Sequence, residues 1–148
     1  MEKTANILLS FEYNNLRGGC KSLKDYQGKL LCVIFLTPYT INNSMELVSE
    51  ISGWHYHSFY EGKNIKFVFM ALRINYPGDS LALRRITIHH NKIDCLSADD
   101  NVSEILMLNY QLFFMPQAMI IAPDGAILDT MEHVYSRVLD KKLKELLL

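Results

Sequence analysis

The segment LLCVIFLTPYTINNS, from Leu30 to Ser44, decides the fold of this chain. Its first part, Leu30–Leu36, is entirely apolar, and a strand with no polar alternation must be covered on both faces of its sheet. The segment then turns at Thr37 and Pro38 and enters a predicted helix near Asn43. A central strand that leads into a helix through a short loop is where α/β proteins place their binding and catalytic groups.

Length and charge bound the class of protein. The chain has 148 residues, which predicts one domain, 1–148, with a substantial core. The net charge is −1 and the Lys and Arg residues are scattered, which argues against a nucleic-acid surface. No apolar run approaches the ~20 residues that a membrane-spanning helix needs.

Apolar strands alternate with helical patterns along the chain. Ile7–Tyr13 and Cys20–Leu23 are predicted to pair as an N-terminal β-hairpin around a turn at 14–19, and Leu23–Tyr26 reads as one helical turn. The next elements are a helix that begins near Asn43, with Leu47, Val48, Ile51, Trp54 and Phe59 at helical spacing, a strand Ile65–Leu72 and a helix Leu81–His90. An extended piece in Asn91–Leu96 and a helix capped by Asp99 or Asp100 follow. The chain ends with strands Ala118–Ala122 and Ala126–Asp129 and a helix from Val134, whose Val138, Leu139, Leu143 and Leu146 are predicted to face inward. This order predicts an α/β protein, a mixed sheet with helices on both faces.

Three stretches of the sequence point to one family. Phe11–Phe35 combines a hairpin, the turn Leu23-Lys24-Asp25-Tyr26-Gln27-Gly28-Lys29 and an apolar strand. Asn109–Gln117 is similar to the pattern Tyr-x-Val-x-x-Ile-Pro-Thr, and Ala118–Ala126 is similar to Thr-Phe-Leu-Ile-Asp-x-Asp-Gly-x. Together, in this order, they resemble the thioredoxin-like proteins of the redoxin and TlpA/ResA type over nearly the whole chain.

The resemblance implies a thioredoxin-like fold, with a central mixed β-sheet flanked by helices on both faces and an N-terminal β-hairpin extension. It also implies a cis peptide bond before Pro116. In the family the loop after the central strand carries Trp-Cys-x-x-Cys, and alignment from Phe35 places Thr40 and Asn43 at the two cysteine positions. Thiol–disulfide exchange needs one thiolate to attack and a second thiol to resolve the mixed disulfide, so Thr40 and Asn43 cannot perform it.

The leading interpretation is therefore a redox-inactive thioredoxin-like domain that binds a peptide, a protein partner or a small ligand. The resemblance places its groove between the degenerate loop and the cis-proline loop, at Tyr39, Thr40, Asn43, Phe114, Met115 and Pro116. No cofactor is expected, and no metal site either, since His55 and His57 at i, i+2 point apart on a helix. Two alternatives stay open: a thiol-dependent oxidoreductase or peroxidase that uses Cys95 or Cys20, and a structural module of an envelope assembly.

The three cysteines, Cys20, Cys32 and Cys95, form neither a disulfide framework nor a zinc pattern. Cys32 lies in the apolar strand and is expected to be buried and slow to react. Cys95 is the weak catalytic candidate, because protonated His89 or His90 nearby would lower the pKa of its thiol.

Location stays open at this point. Relatives of the TlpA/ResA type are usually bacterial proteins outside the cytoplasm, which favours the periplasm or cell envelope with a leader absent from this sequence. The N-terminal apolar run Ala5–Leu9 is too short for a signal peptide, which fits that reading and a cytoplasmic protein equally.

Overall fold

The computed structural model describes residues 3–37, 45–54, 59–74 and 93–148. The strands are β1 (Glu12–Asn15), β2 (Cys20–Ser22), β3 (Leu30–Leu36), β4 (Ile65–Ala71), β5 (Asp94–Ser97), β6 (Gln117–Ile121) and β7 (Ile127–Met131). The helices are α1 (Asn6–Ser10), α2 (Met45–Trp54), α3 (Asp100–Tyr110) and α4 (Ser136–Leu147), and Leu23–Tyr26 forms a 3-10 turn. Among these described helices, none is long and apolar enough to cross a membrane.

One mixed sheet carries the described strands in the order β2-β1-β5-β4-β3-β6-β7. β3 runs parallel to β4 and antiparallel to β6, and β5 runs parallel to β4. β1 and β2 form the N-terminal hairpin, and β6 and β7 form the last one. The predicted α/β class, the mixed sheet and the apolar central strand are therefore confirmed.

The side chains of β3 alternate between two cores. Cys32 and Ile34 pack on the face that α2 and α4 cover, while Val33 and Phe35 pack on the face that α1 and α3 cover. Every residue of β3 is buried. Coverage on both faces is why this strand contains no polar residue.

The first predicted strand is largely wrong, because residues 7–10 of Ile7–Tyr13 lie in α1 and only the end of that range lies in β1. Two tyrosines satisfy the ends of this short helix. The hydroxyl of Tyr13 donates to the carbonyl of Leu8 at 2.5 Å, and the N–H of Leu8 donates to the hydroxyl of Tyr110 at 3.1 Å. A helix this short is unstable alone, so these two hydrogen bonds, one of them to the distant Tyr110, select the conformation.

Other boundaries also differ from the predictions. The extended piece expected in Asn91–Leu96 is a strand, β5. It pairs with β1 of the N-terminal hairpin on one side and with β4 on the other. The helix expected to reach Phe59 is described as α2 over Met45–Trp54, and Phe59 itself lies in a turn. The predicted helix Leu81–His90, with His89 and His90, lies outside the described residues, as do His55 and His57.

The final helix begins at Ser136 rather than at Val134. Leu139 and Leu143 are buried as predicted, but Val138 is 54% exposed, so its predicted inward position is wrong. Leu146 is also exposed. The apolar stripe of α4 that packs against the sheet is narrower than the sequence pattern predicts. Val138, near the start of the helix, is therefore exposed to solvent.

Candidate functional site

The carboxyl end of β3 meets the start of β6, where Phe35 pairs with Gln117. This register puts Pro116 beside the exit of β3, as the resemblance implies. The peptide bond between Met115 and Pro116 is cis. Tyr39, Thr40 and Asn43, the predicted loop half of the groove, lie outside the described residues.

A cavity of about 660 Å³ opens next to Pro116, between α2 and the start of α4. Its lining comprises Glu46, Leu47, Glu50, Pro116, His133, Val134, Tyr135, Ser136, Arg137 and Val138. The volume is that of a typical ligand pocket. Pro116 therefore lies at a cavity, and Phe114 and Met115 precede it in the same loop without lining the cavity.

The segment between β7 and α4 is fastened to the proline loop. The N–H of Val134 donates to the carbonyl of Pro116 at 2.9 Å, and the N–H of His133 donates to the carbonyl of Phe114 at 3.3 Å. The rings of Phe114 and His133 lie 5.6 Å apart. Among the backbone hydrogen bonds between described residues, none involves Met115.

The start of α4 forms the opposite wall. Its N-cap residue, Tyr135, is 72% exposed and contributes no side-chain cap. The hydroxyl of Ser136 bonds to a carboxylate oxygen of Glu50, which ties α4 to α2. Exposed Val138 adds an apolar surface, and Glu46 and Glu50 on α2 add two carboxylates. The cavity thus offers apolar contact, two carboxylates and the guanidinium of Arg137.

Sequence reasoning missed most of this wall. The helical pattern that begins near Asn43 assigns no role to Glu46 or Glu50. Val138 was assigned to the core because it continues an apolar helical pattern. The wall combines an exposed acidic face on α2 with an apolar residue in the first turn of α4. Only the tertiary structure brings these two features together, so the sequence contains no local signal for them.

The cysteines lie away from the cavity. Cys32 is fully buried in β3, and burial raises the pKa of its thiol. Cys95 is 1% exposed, and its pKa is raised to about 12 by burial, which outweighs the lowering effect of Arg17. Burial therefore argues against Cys95 as the reactive thiol, because a buried protonated thiol is a poor nucleophile. Cys20 is exposed on β2.

The sequence matches no protein-family profile and no curated protein. The fold, in contrast, is shared with many solved structures. The thioredoxin domain of a thiol-disulfide oxidoreductase from Bacteroides vulgatus aligns at 11% identity and a TM-score of 0.70, covering 93% of each chain.

Two further solved structures show the same likeness. A thiol-disulfide oxidoreductase from Bacteroides fragilis aligns at 20% identity and a TM-score of 0.69, covering 93% of this chain and 96% of that one. A secreted disulfide oxidoreductase of Mycobacterium tuberculosis, homologous to DsbE of Escherichia coli, aligns at 18% identity and a TM-score of 0.65, with coverage of 93% and 96%. The fold is thioredoxin-like, as the sequence resemblance implies.

Proposed function

We propose that this chain is a redox-inactive thioredoxin-like domain that binds an extended peptide or protein segment in the cavity beside Pro116. The observation that carries the proposal is the composition of that cavity. Its described lining combines carboxylates, exposed apolar side chains and a proline loop, and contains no thiol. Thr40 and Asn43 occupy the positions where the resemblance implies the two redox cysteines.

The position of the remaining exposed thiol supports binding rather than exchange. Cys20 lies on β2 at one edge of the sheet, whereas Pro116 precedes β6. The two strands are separated by β1, β5, β4 and β3, and five spacings of about 4.8 Å amount to roughly 24 Å. A mixed disulfide at Cys20 would therefore hold its partner far from the cavity.

The proline loop favours an extended ligand, because Met115 takes part in none of the backbone hydrogen bonds between described residues. A peptide segment in β conformation can pair with one N–H and one carbonyl of a neighbouring chain, and its side chains then enter pockets on alternate sides. Glu46 and Glu50 outweigh the single positive charge of Arg137 in the lining and so favour one Lys or Arg in that segment. Tyr135 and Val138 favour an apolar residue. The expected ligand is an extended, basic and apolar peptide.

Selection from a library of short linear peptides tests this proposal, followed by measurement of Kd by fluorescence anisotropy. Val138→Asp should weaken binding about tenfold or more, since it places a charge against an apolar contact, a loss of about 1.4 kcal/mol. Leu108→Asp is the matched control, because Leu108 is similarly exposed but lies on α3, across the sheet. If the Kd of the selected peptides is unchanged in Val138→Asp, the proposed site is refuted.

The redox part of the proposal has its own test. Wild-type protein should not accelerate the reduction of insulin, whereas the double variant Thr40→Cys, Asn43→Cys should form an internal disulfide and gain activity. If the wild type is active and Cys20→Ser abolishes this activity, the chain is a thiol enzyme and the redox-inactive proposal fails.

A further inference from the structure

Aromatic side chains are exposed in the loop that leads to Pro116. The side chain of Phe113 is 55% exposed and that of Phe114 is 48% exposed. Tyr135 and Val138, which line the cavity beside Pro116, are exposed as well. Exposed apolar surface that is collected around one loop indicates a site of interaction, whereas single apolar residues scattered over a surface do not.

The ring of Phe114 is held in place by a second ring. It packs against the ring of His133, with the two centres 5.6 Å apart and the two planes at 53°. The carbonyl of Phe114 also accepts from the N–H of His133. Among the described residues, none of the ring contacts involves Phe113. Phe114 therefore has a fixed orientation before a ligand binds, which lowers the entropy cost of a contact with its exposed face.

His133 links this ring pair to the cavity. It lines the cavity together with Pro116, and its backbone is left-handed, with φ of 47°. Histidine is one of the few residues besides glycine that are enriched in this conformation. The N–H of the next residue, Val134, donates to the carbonyl of Pro116, which ties this segment to the proline loop a second time. Because His133 belongs both to the cavity lining and to the ring pair, one extended segment can reach both.

The geometry of the ring pair favours an aromatic ligand group. Two rings inclined at 53° form an open corner rather than a flat surface. A third ring can stack on one of them and meet the other with its edge, and these are the arrangements that aromatic pairs prefer. An aliphatic side chain gains only buried area at such a corner. A Lys or Arg of the ligand has stronger partners in the cavity, the carboxylates of Glu46 and Glu50.

We propose that Phe114 and His133 form an aromatic subsite of the peptide groove, which binds a Phe, Tyr or Trp side chain of the ligand. This inference rests on the proposed function and narrows its ligand class. The ligand is an extended segment with one basic residue for the carboxylates of the cavity and one aromatic residue for the corner between the two rings. Phe114 is then a specificity-determining residue, although it does not line the cavity.

Titration of the full chain with N-acetyl-phenylalanine amide, followed by two-dimensional amide NMR, tests the subsite without a peptide. Saturable shifts should appear at the amides of Phe114 and His133, and N-acetyl-leucine amide should bind roughly two- to tenfold more weakly. Phe114→Leu should abolish this preference for the aromatic probe. Phe113→Leu is the matched control, because Phe113 is the neighbouring and similarly exposed phenylalanine. The absence of saturable shifts at these amides overturns the subsite, and so does an equal effect of the two variants.

The second ring has a test of its own. His133→Asn removes the imidazole, and asparagine also tolerates the left-handed backbone conformation. The variant should weaken binding of the aromatic probe roughly two- to tenfold, since Phe114 loses the ring that fixes it. An unchanged Kd for the aromatic probe would overturn the two-ring corner.

Peptides selected for the groove separate this inference from the proposed function. In wild-type protein, replacement of the peptide's aromatic residue by Leu should raise Kd roughly two- to tenfold, and in Phe114→Leu the same replacement should have little effect. Peptide binding that depends on Val138 but not on Phe114 overturns the subsite and leaves the groove in place. Binding of the aromatic probe that depends on Phe114, together with peptide binding that is unchanged in Val138→Asp, supports the subsite and refutes the groove.

Discussion

Tyr13→Phe should destabilise the fold by removing one hydroxyl. The Tyr13 hydroxyl donates to the carbonyl of Leu8 at 2.5 Å, and the Tyr13 side chain is almost fully buried. The last carbonyls of a helix have no partner inside it, so the variant leaves a buried acceptor of α1 unsatisfied. The loss should be about 1–3 kcal/mol, which lowers Tm by roughly 2–12 °C for a domain of this size.

Tyr26→Phe is the matched control for this prediction. Tyr26 is also buried, but among the described residues its hydroxyl has no hydrogen-bond partner. Removing an unsatisfied buried hydroxyl costs no hydrogen bond, so Tm should stay the same or rise. Thermal unfolding followed by circular dichroism measures both variants under the same conditions. An equal loss of Tm in the two, or no loss in Tyr13→Phe, would refute the assignment of Tyr13 as the clamp of α1.

Two further predictions concern thiols and a second tyrosine. Near neutral pH a thiol reagent should label Cys20 rapidly, and Cys32 and Cys95 only on unfolding. Burial raises the pKa of Cys95 to about 12, so the protonated thiol contributes its full stabilisation of the fold at neutral pH. This contribution declines as pH rises from about 9 towards 12. Rapid labelling in Cys20→Ser would contradict this order. Tyr60→Phe should lower the free energy of unfolding by about 1–2 kcal/mol in denaturant titration, because the hydroxyl of Tyr60 donates to Asp140 at 2.5 Å; an unchanged midpoint would contradict that role.

The sequence predicts the centre of the fold better than its edges. The unbroken apolar run of β3 determines its position, because only a strand covered on both faces tolerates such a composition. The pattern predicts a strand in place of α1 because Ile7–Leu9 is a short apolar run, which local patterns cannot assign to helix or strand. Its conformation depends on Tyr13 and Tyr110, and Tyr110 lies far along the chain.

The candidate site was predicted only where a motif marked it. Pro116 was identified through a sequence pattern, and the structure places it at a cavity. Glu50 and Tyr135 carry no motif, since their role comes from the approach of α4 to α2. Cys95 was chosen for its neighbours in sequence, but β5 buries it between β1 and β4.

The most direct test asks whether the protein binds its peptide without thiol chemistry. The measurement is the Kd of wild-type protein for a selected peptide that contains no cysteine, with and without a thiol reductant. Binding without thiol chemistry predicts the same Kd in both conditions. The account is contradicted if only cysteine-containing peptides bind and the reductant releases them, since the partner would then be held by a mixed disulfide.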